Sequence, residues 1–597
     1  MLRRSLLAGA AAAMAVRPAT GWTAPVRSRV RPSDPDWPDA ARWDALNRAV
    51  GGRLMVVRSP LADCRDMPDG PACQAVFKAL KNPYAIGDDA ALTQTCGWID
   101  AWTAQASTYA VAAETADDVA AAVRFARDHN LRLVVRGGGH SYLGTSNAPD
   151  SLMVWTRRMQ AVTLHDGFVP AGCEGEAPQP AVSVGSGAIW MHVYNAVTTG
   201  GGRYVQGGGC GTVGVAGLVQ GGGFGTHSKA FGTAAASLME AEVVTADGAI
   251  RIANARTNPD LFWALKGGGG GTFGVVTRLT LRTHDLPARF GVVNATIHAA
   301  SEATFRRLVA TFVDLCADHL VDRHWGEIVT LRPGNRLDIR VSWLGLEQAD
   351  GEAVWDPFFR RIAAEPAAFS FAFPPRILSG PFRHRWDPSF YRLYAPTAIL
   401  TDDRPNAPAD NIFWSANLSE AGHFLYGFES LWLPAALLDP DNRARLVDAL
   451  VAAGRLWSVE LHLQKGLAGA PADVLAAVRD TPTNPAVLDA FALAIVAGEG
   501  PPGFPGLAGH EPDLVAARRG AASIREAAAV LRGVAPGTGA YVAESSYFEP
   551  DWQVAYWGPH YPRLLDVKQR YDPDGLFFAR HGVGSEGWSE DGFTRVG

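Results

Sequence analysis

The sequence predicts an α+β protein of two or more domains, and three observations support this prediction. The chain has 597 residues, which exceeds the size at which a single hydrophobic core usually stops growing. Segments with helical periodicity alternate with short strands from about residue 105 onward. The 64 glycines gather in runs before residue 286, whereas aromatic-rich strands and Ala/Leu/Arg helices follow it. This change in texture predicts a domain boundary near residue 286.

Residues 1–25 are typical of an export signal that is removed from the mature protein. Arg3 and Arg4 precede a weakly apolar run, Leu6–Val16, which is too short to cross a bilayer because a helical span takes about 20 apolar residues. The paired arginines favour the twin-arginine route and predict a periplasmic or secreted protein. The alternative is a frayed basic terminus.

Residues 26–104 are expected to form an N-terminal lead-in that wraps the surface, because they are rich in Pro, Asp and Arg. Cys64 and Cys73 lie close together in this segment. An oxidising compartment would permit a local disulfide between them, and two unpaired thiols are the alternative.

Residues 105–286 alternate predicted helices and strands around the glycine runs. Thr115, with Asp118 three residues later, predicts a capped helix, and "LRLVVR" predicts the strand that follows it. "AEVVTADGAIRI" predicts a β-hairpin that turns at Asp247 and Gly248. Residues 287–540 form a second predicted α+β domain. Residues 541–597 are dense in Tyr and Trp and too apolar to be a free end.

The composition narrows the classes of partner. At 47% hydrophobic and 19% charged residues, with a net charge of −6 and a pI near 6.2, the chain gives no electrostatic reason to expect nucleic acid or an anionic membrane. No later apolar stretch is long enough to predict a membrane span. None of the spacings among the six cysteines is typical of a zinc site, so we expect no metal.

Three glycine-rich segments carry the strongest functional signal. "GGGH" ends at His140, "GGGC" ends at Cys210, and "GGGGGTFG" ends at Gly274. The last two contain G-x-G-x-x-G, but the chain after Gly214 continues into more glycine instead of a long amphipathic helix, which disfavours a nicotinamide-binding fold. A P-loop is excluded because no glycine run leads into Gly-Lys-Ser/Thr.

Glycine-rich loops let backbone N–H groups approach an anion or a flat ring closely, since no Cβ stands in the way. Three such loops within about 140 residues predict one extended ligand wrapped by backbone. A pyrophosphate-bearing cofactor with a large planar ring fits. The alternative is tight turns in an all-β protein, which would not explain repeated runs of glycine.

The same segments resemble a known family. "RLVVRGGGHSYLGTS", "GGGCGTVGVAGLVQGGGFG", "AEVVTADG" and "NPDLFWALKGGGGGTFGVVT" resemble the FAD-linked oxidases of the vanillyl-alcohol oxidase superfamily, in the berberine-bridge-enzyme-like branch. The tail "DWQVAYWGPHYPRLLDVKQRYDPDGLFFARHGVGSE" resembles the C-terminal segment of that branch. The resemblance implies a two-part FAD-binding domain of the PCMH type, formed by residues 105–286 and 541–597. The substrate domain, residues 287–540, would be inserted between the two parts and built on an antiparallel sheet.

The resemblance also implies roles for single residues. His140 matches the histidine joined to the 8α carbon of the flavin, and Cys210 matches the cysteine joined to ring carbon C6, so the FAD would be bicovalent. Val213 matches the position at which valine leaves space for oxygen beside the flavin. The other expected FAD contacts are Arg136, Gly137, Gly138, Gly139, Ser141, Gly209, Gly211, Thr212, Gly214, Gly217, Gly221, Gly222, Gly223, Val276 and Tyr561. Taken singly, His140 could instead be a hydrogen-bonded turn residue, and Cys210 a buried thiol.

Five residues are candidates for the catalytic base and its surroundings. In "SVELHLQKG", His462 and Gln464 lie on the polar face of a predicted strand, which could equally be a solvent-facing edge. In "AYVAESSYF", Tyr541, Glu544 and Tyr547 are the candidates, and the aromatic residues could equally pack between domains. A tyrosine whose pKa is lowered by a nearby Lys or Arg is expected to act as a base, which places Tyr547 and Glu544 ahead of His462.

We therefore expect an FAD-dependent oxidase. A hydride would pass from an alcohol or hemiacetal carbon of a carbohydrate or a phenolic or polycyclic compound to flavin N5, and O₂ would then be reduced to H₂O₂. The expected partners are the small-molecule substrate and O₂. Two alternatives stay open: an oxidative tailoring enzyme of secondary metabolism acting on an amine or a C–H bond, and a flavinylated binding protein with little turnover.

Overall fold

The predicted capped helix after Thr115 forms as its sequence dictates. We analysed a computed structural model that describes residues 28–596, so the predicted export signal lies outside the described residues. The Thr115 hydroxyl accepts a hydrogen bond from the Asp118 amide, and the Asp118 carboxylate accepts one from the Thr115 amide. This capping box satisfies two amide groups at the start of the helix Ala116–Asp128.

The strands of the described residues fall into several sheets. In chain order they are β1 (Leu54–Val56), β2 (Thr95–Trp98), β3 (Trp102–Thr103), β4 (Tyr109–Ala112), β5 (Arg132–Arg136), β6 (Ser151–Trp155), β7 (Val162–Phe168), β8 (Gln179–Gly185), β9 (Arg203–Tyr204), β10 (Leu238–Val244), β11 (Ile250–Asn254), β12 (Val275–Arg282), β13 (His284–Asp285), β14 (Arg289–Ala299), β15 (Trp325–Arg332), β16 (Arg336–Leu344), β17 (Phe369–Phe371), β18 (Arg376–Pro381), β19 (Ile399–Thr401), β20 (Ile412–Trp414), β21 (His423–Pro434), β22 (Val459–His462) and β23 (Ala490–Gly500).

The helices flank these sheets. In chain order they are α1 (Ala40–Ala49), α2 (Ala62–Asp66), α3 (Pro71–Ala79), α4 (Pro83–Gly87), α5 (Ala116–Asp128), α6 (Trp190–Tyr194), α7 (Val215–Gln220), α8 (Ser228–Phe231), α9 (Pro259–Leu265), α10 (Glu302–Leu315), α11 (Gln348–Ala363), α12 (Pro388–Tyr394), α13 (Pro440–Leu456), α14 (Ala472–Arg479), α15 (Ala486–Asp489), α16 (Leu514–Arg532), α17 (Trp552–Trp557) and α18 (Tyr561–Tyr571).

Two sheets form the part of the fold that carries the glycine loops. A four-stranded sheet has the order β1-β4-β6-β5, in which β4, β6 and β5 run parallel. A five-stranded antiparallel sheet has the order β11-β10-β12-β8-β7, and its β10–β11 pair is the predicted hairpin. The first glycine run follows β5, the second follows β9, which pairs with β13 in a separate two-stranded sheet, and the third follows α9.

A ten-stranded sheet forms the second part of the fold. Its main path is β17-β14-β16-β15-β22-β23-β21-β2-β3, with β18 also paired to β14, and its neighbours are antiparallel except for the β2–β21 pair. One face of this sheet packs its aliphatic and aromatic residues against α10, α11, α13 and α16 in a single hydrophobic cluster. The opposite face is free to line a site.

The lead-in is more than the surface-wrapping segment that its composition predicts. Strand β1 pairs with β4 in the four-stranded sheet, and β2, all four residues of which are buried, pairs with β21 in the ten-stranded sheet. Strands of three or four residues cannot be predicted from the composition of a long segment that is rich in Pro, Asp and Arg. Cys64 and Cys73 are joined in a disulfide and are therefore not the two unpaired thiols that were the alternative.

The aromatic tail packs against the glycine-rich part of the chain. The Trp557 indole donates to the Gly267 carbonyl at 2.9 Å, and the Lys568 ammonium donates to the Thr272 carbonyl at 2.7 Å. The tail therefore completes the first part of the fold. Among residues 28–596, no helix has both the length and the apolar composition needed to cross a membrane. The same range holds no group of three or more His, Cys, Asp or Glu side chains arranged to hold a metal ion.

Candidate active site

A cavity of about 1420 Å³ lies between the glycine loops and the free face of the ten-stranded sheet. The glycine loops form one side, which we call the glycine wall; it comprises residues 136–141, 208–225 and 270–276. The cleft-lining residues of β14, β15, β16, β22 and β23, with residues 414–428, form the sheet wall. The two walls meet at the tail residues 541–544 and 578–582.

Glycines in the glycine wall serve two different purposes. A Cβ at Gly138 would lie 2.6 Å from the backbone nitrogen of Gly214, so this glycine lets two loops touch. A Cβ at Gly209 or Gly217 would meet nothing within 4 Å, and both residues line the cavity. These two glycines therefore leave open space beside the backbone, which is the cradle that a flat or anionic ligand requires.

The glycine wall brings His140 and Cys210 to a shared neighbour. The Thr212 hydroxyl lies 3.2 Å from His140 Nε2 and 3.5 Å from Cys210 Sγ. Burial lowers the pKa of the His140 imidazole to about 4 and raises the pKa of the Cys210 thiol to about 12. Both groups are therefore uncharged at neutral pH.

Arg136 lies at the same wall, but its charge is turned away from the cleft. Its guanidinium donates to the carbonyls of Ala90 at 2.9 Å and Ile86 at 3.3 Å, both in the lead-in. The loop that follows Arg136 therefore presents backbone, rather than a guanidinium, to the cavity.

The sheet wall is polar because the strand β22 alternates. Val459 and Leu461 belong to the hydrophobic cluster, whereas Glu460 and His462 line the cavity. The strand is hydrogen-bonded to β15 on one side and β23 on the other, so its polar face is not an exposed sheet edge. His462 Nε2 lies 3.0 Å from a Glu460 carboxylate oxygen. Burial acts to raise the pKa of Glu460, but the hydrogen bond from His462 acts against burial, and this pKa lies below its ordinary value.

Two polar atoms on this wall are buried without a partner. His462 Nδ1 and Gln464 Oε1 make no hydrogen bond within the described range, although their residues are only 8% and 5% exposed. Buried polar atoms are normally hydrogen-bonded, so an unpaired acceptor or donor that lines a cavity indicates a missing ligand or water.

Glu544 and Tyr541 close the cavity where the two walls meet. Lys465 forms an ion pair with Glu544. The Tyr541 hydroxyl accepts a hydrogen bond from the Gly223 amide at 3.2 Å and lies against the Phe224 ring. Both residues line the cavity, so the structure brings them to the site.

Comparisons with known proteins agree with this geometry. The family model for an FAD-binding domain matches residues 107–254, and the model for berberine and berberine-like proteins matches residues 540–584. The FAD-linked oxidoreductase malF of Malbranchea aurantiaca is 30% identical over 596 residues, covering 94% of this chain and 93% of the relative.

The chain belongs to the berberine-bridge-enzyme-like FAD-linked oxidoreductases. The crystal structure of the VAO-type flavoprotein MtVAO615 from Myceliophthora thermophila C1 matches with a TM-score of 0.74 and 26% identity, covering 94% of this chain and 98% of that one. Glucooligosaccharide oxidase from Acremonium strictum also matches, with a TM-score of 0.60, and the description of its structure names a 6-S-cysteinyl, 8α-N1-histidyl FAD. It is 19% identical and covers 80% of this chain and 92% of that one, so it shares the fold.

The cleft of this oxidoreductase fits FAD. The open glycines leave room beside the backbone, and Gln220 Oε1 is a further buried, unpaired acceptor among the cleft-lining residues. Most of the predicted contacts line the cavity together: Arg136, Gly137, Gly138, Gly139, His140, Ser141, Gly209, Cys210, Val213, Gly214, Gly217, Gly221 and Val276.

Five predicted contacts lie behind this surface or away from it. Gly211, Thr212, Gly222 and Gly223 support the wall from behind, as Thr212 does for His140. Tyr561 is further from the expected place. It donates to Glu586 at 2.5 Å and stacks on Trp557 in the tail.

Tyr547 does not reach the cleft. Its hydroxyl donates to Glu590 at 3.1 Å, and the Arg580 guanidinium lies 4.6 Å from its ring centre. The expected lowering of a tyrosine pKa is also wrong, because burial raises the pKa of Tyr547 to about 12 despite Arg580. Burial likewise raises the pKa of Tyr541. Neither tyrosine is ionised at neutral pH.

Sequence reasoning missed a group of carboxyls on the sheet wall. Glu420 and Glu499 line the cavity with Glu460, and His423 Nδ1 lies 2.5 Å from a Glu499 oxygen. Burial raises the pKa of Glu420 to about 7, and Glu499 and Glu460 add to the rise. Glu420 receives a hydrogen bond from Asn417 at 2.6 Å but no direct cation. Because these glutamates are 39 to 79 residues apart in sequence, no local motif could have grouped them.

Proposed function

We propose that this oxidoreductase is an oxidase with bicovalently attached FAD, held through His140 and Cys210. The observation that carries the proposal is the shared Thr212 contact, which puts the side chains of both predicted attachment residues within hydrogen-bonding reach of one hydroxyl. A histidine used only in a turn and a cysteine used only in a core would not be expected to share one open cleft. The fold-level likeness to glucooligosaccharide oxidase, whose description names a cysteinyl and histidyl FAD, supports the same arrangement.

The proposed reaction removes a hydride from an alcohol or hemiacetal carbon. When bound, the flavin accepts the hydride at N5 and passes electrons to O₂, which gives H₂O₂. The protein holds the cofactor by backbone and leaves the side of the cleft at Val213 free of a larger side chain. Trp386, Trp414 and Phe428 line the cleft and offer aromatic surface to a sugar or phenolic ring.

We assign the proton acceptor to His462. Its Nδ1 is unpaired, while Nε2 is held by the Glu460 carboxylate, so the ring is oriented and one nitrogen is free to take the proton of a substrate hydroxyl. Glu544 is the weaker candidate because its carboxylate is already paired with Lys465.

Oxidation of an amine is the second candidate. The three carboxyls of Glu420, Glu460 and Glu499 favour it, because a cluster of carboxyls attracts a cationic nitrogen. The proton acceptor and the cofactor would be the same.

We also propose that the protein is exported through the twin-arginine signal in residues 1–25. The Cys64–Cys73 disulfide supports this proposal, because disulfides persist in oxidising compartments. A fusion of residues 1–25 to a reporter that is active only outside the cytoplasm should be exported, and replacing Arg3 and Arg4 by lysine should stop it.

A peroxide-coupled screen of the purified protein tests the proposed reaction. Sugars with a free reducing end, benzylic alcohols and amines are supplied under air, and H₂O₂ is measured together with substrate loss. We expect one peroxide for each substrate oxidised in at least one class. Anaerobic incubation with a hit should bleach the flavin absorbance. A flavin that stays oxidised with every class would contradict the proposal and indicate a binding protein.

A further inference from the structure

The sheet wall changes charge from one side of the cleft to the other. Across the wall, the strands follow the order β14, β16, β15, β22, β23 and β21. The cleft-lining side chains on β16 and β15 include Arg340 and Arg332, together with one carboxylate, Glu327, which accepts a hydrogen bond from Thr226. Glu460 is on β22 and Glu499 is on β23. Glu420 is three positions before His423, the first residue of β21.

Arg340 is the free cation of the basic side. Among residues 28–596 its guanidinium has neither an ion pair nor a hydrogen bond, although it lines the cavity. Arg332, the neighbouring guanidinium, forms an ion pair with Asp338, whose carboxylate oxygen lies 2.5 Å from Arg332 Nε. Arg336 of the same strand as Arg340 is also paired with Asp338, at 2.9 Å. Of these three, Arg340 is the one whose guanidinium has no ion pair or hydrogen bond among the described residues.

The acidic side carries more carboxyls than its imidazoles can balance. Glu460 contacts His462, and Glu499 contacts His423. Among residues 28–596, the hydrogen-bond partner of the Glu420 carboxyl is the neutral amide of Asn417 alone. Lys465 and Glu544, which stand nearby, compensate each other. An anionic group of a ligand is therefore repelled from this side.

Strand register fixes the separation between the two sides. Arg340 is opposite Ile328 on β15, and Ile328 is opposite His462 on β22. Neighbouring strands lie about 4.8 Å apart, so Arg340 and His462 are on one row of the sheet about 10 Å apart. The unpaired His462 Nδ1 and Gln464 Oε1 are at the acidic end of this row, and they independently point to a ligand there.

We propose that the substrate carries an anionic group, a carboxylate or a phenolate, which Arg340 binds at the far end of the row from His462. The substrate carbon that gives up hydride would then be at the His462 end of the row, beside the proposed proton acceptor. This inference rests on the proposed oxidase function and narrows its substrate class to hydroxylated or amine-bearing acids of about this length. Bidentate pairing of guanidinium with carboxylate gives both affinity and orientation.

Titration of the flavin-loaded enzyme with a matched pair of ligands tests this inference. The first probe is a biphenyl with a hydroxymethyl group at one end and a carboxylate at the other; the second has a carboxamide in place of the carboxylate. Perturbation of the flavin absorbance under anaerobic conditions reports binding. We expect the acid to bind about tenfold more tightly than the amide, as one charge-assisted pair would give.

Two variants separate Arg340 from general charge. Arg340→Gln should remove the preference for the acid, whereas Arg336→Gln, on the same strand but paired with Asp338, should keep it. Equal binding of the two probes by the unmodified enzyme, a preference that persists in Arg340→Gln, or no perturbation by either probe would overturn the inference. If the screen then showed peroxide production from a neutral alcohol, the oxidase proposal would still hold although the anionic-substrate inference had failed.

Discussion

The two walls of the cleft are built by different chemistry. The glycine wall presents backbone from short, contiguous loops, and its reactive side chains, His140 and Cys210, are uncharged. The sheet wall presents charged side chains from strands that are spread over more than 200 residues. The first wall is suited to holding one constant ligand, since backbone geometry leaves little freedom. The second is suited to a variable ligand, because single substitutions change its charge without disturbing the loops.

The largest effect should come from the sheet wall, through His462. Replacing His462 by glutamine removes the proposed proton acceptor, and we expect the anaerobic rate of flavin bleaching by a substrate to fall by about 10² to 10⁴-fold. Tyr547→Phe should stay near the unmodified rate because Tyr547 is outside the cleft. Stopped-flow absorbance at the flavin band measures both.

The assignment of the proton acceptor to the sheet wall would be wrong if His462→Gln reduced the flavin at the original rate. Glu544→Gln is the informative third variant. A larger loss there than at His462 would move the role to Glu544.

An intermediate effect is expected on the glycine wall. Gly138→Ala places a Cβ 2.6 Å from the Gly214 nitrogen, and overpacking of this kind costs about 1–3 kcal/mol of folding free energy. Gly209→Ala meets nothing within 4 Å of protein, so it should leave unfolding nearly unchanged and lower the flavin content instead. Thermal unfolding and flavin absorbance per polypeptide measure the two quantities. Similar unfolding temperatures for the two variants would contradict the division between supporting and ligand-facing glycines.

The smallest expected effect is on the pH dependence of the unfolding free energy, through the Glu420 carboxyl. The folded protein raises the pKa of this carboxyl to about 7, from an ordinary value of 4.5. The folded state therefore holds the proton more tightly than the unfolded state. This contribution to stability is complete below the ordinary pKa and is lost as the pH rises through about 7.

Glu420→Gln should accordingly flatten the fall in unfolding free energy between about pH 5 and about pH 8. Denaturant unfolding at several pH values measures the slope. Glu526→Gln, at an exposed site on α16, is the control and should keep it. An unchanged slope in Glu420→Gln would show that another group titrates in this range.

The sequence predicts the glycine wall far better than the sheet wall. His140 and Cys210 each end a glycine run, and the spacing of those runs carries the family resemblance, so the wall can be read from contiguous motifs. Helix and strand patterns around it, such as the Thr115 cap and the β10–β11 hairpin, are local and were also predictable.

The sheet wall depends on strand order, which no local pattern encodes. His462 and Gln464 were found because β22 alternates, but Arg340 and Glu499 reach the cleft only through pairing of β16 and β23 with distant strands. Tyr547 shows the opposite error: it is only three residues from Glu544, yet it points into tail packing. Closeness to Glu544 in sequence therefore does not place Tyr547 in the cleft.

Attachment of the flavin is the central claim, and the mass of the denatured polypeptide tests it most directly. The purified protein is unfolded in acid, separated from small molecules and weighed by mass spectrometry. We predict that the unmodified chain, His140→Ala, Cys210→Ala and the control Cys173→Ala all retain the added mass of FAD, and that the His140→Ala, Cys210→Ala double variant loses it. Release of free FAD from the unmodified chain would contradict the account.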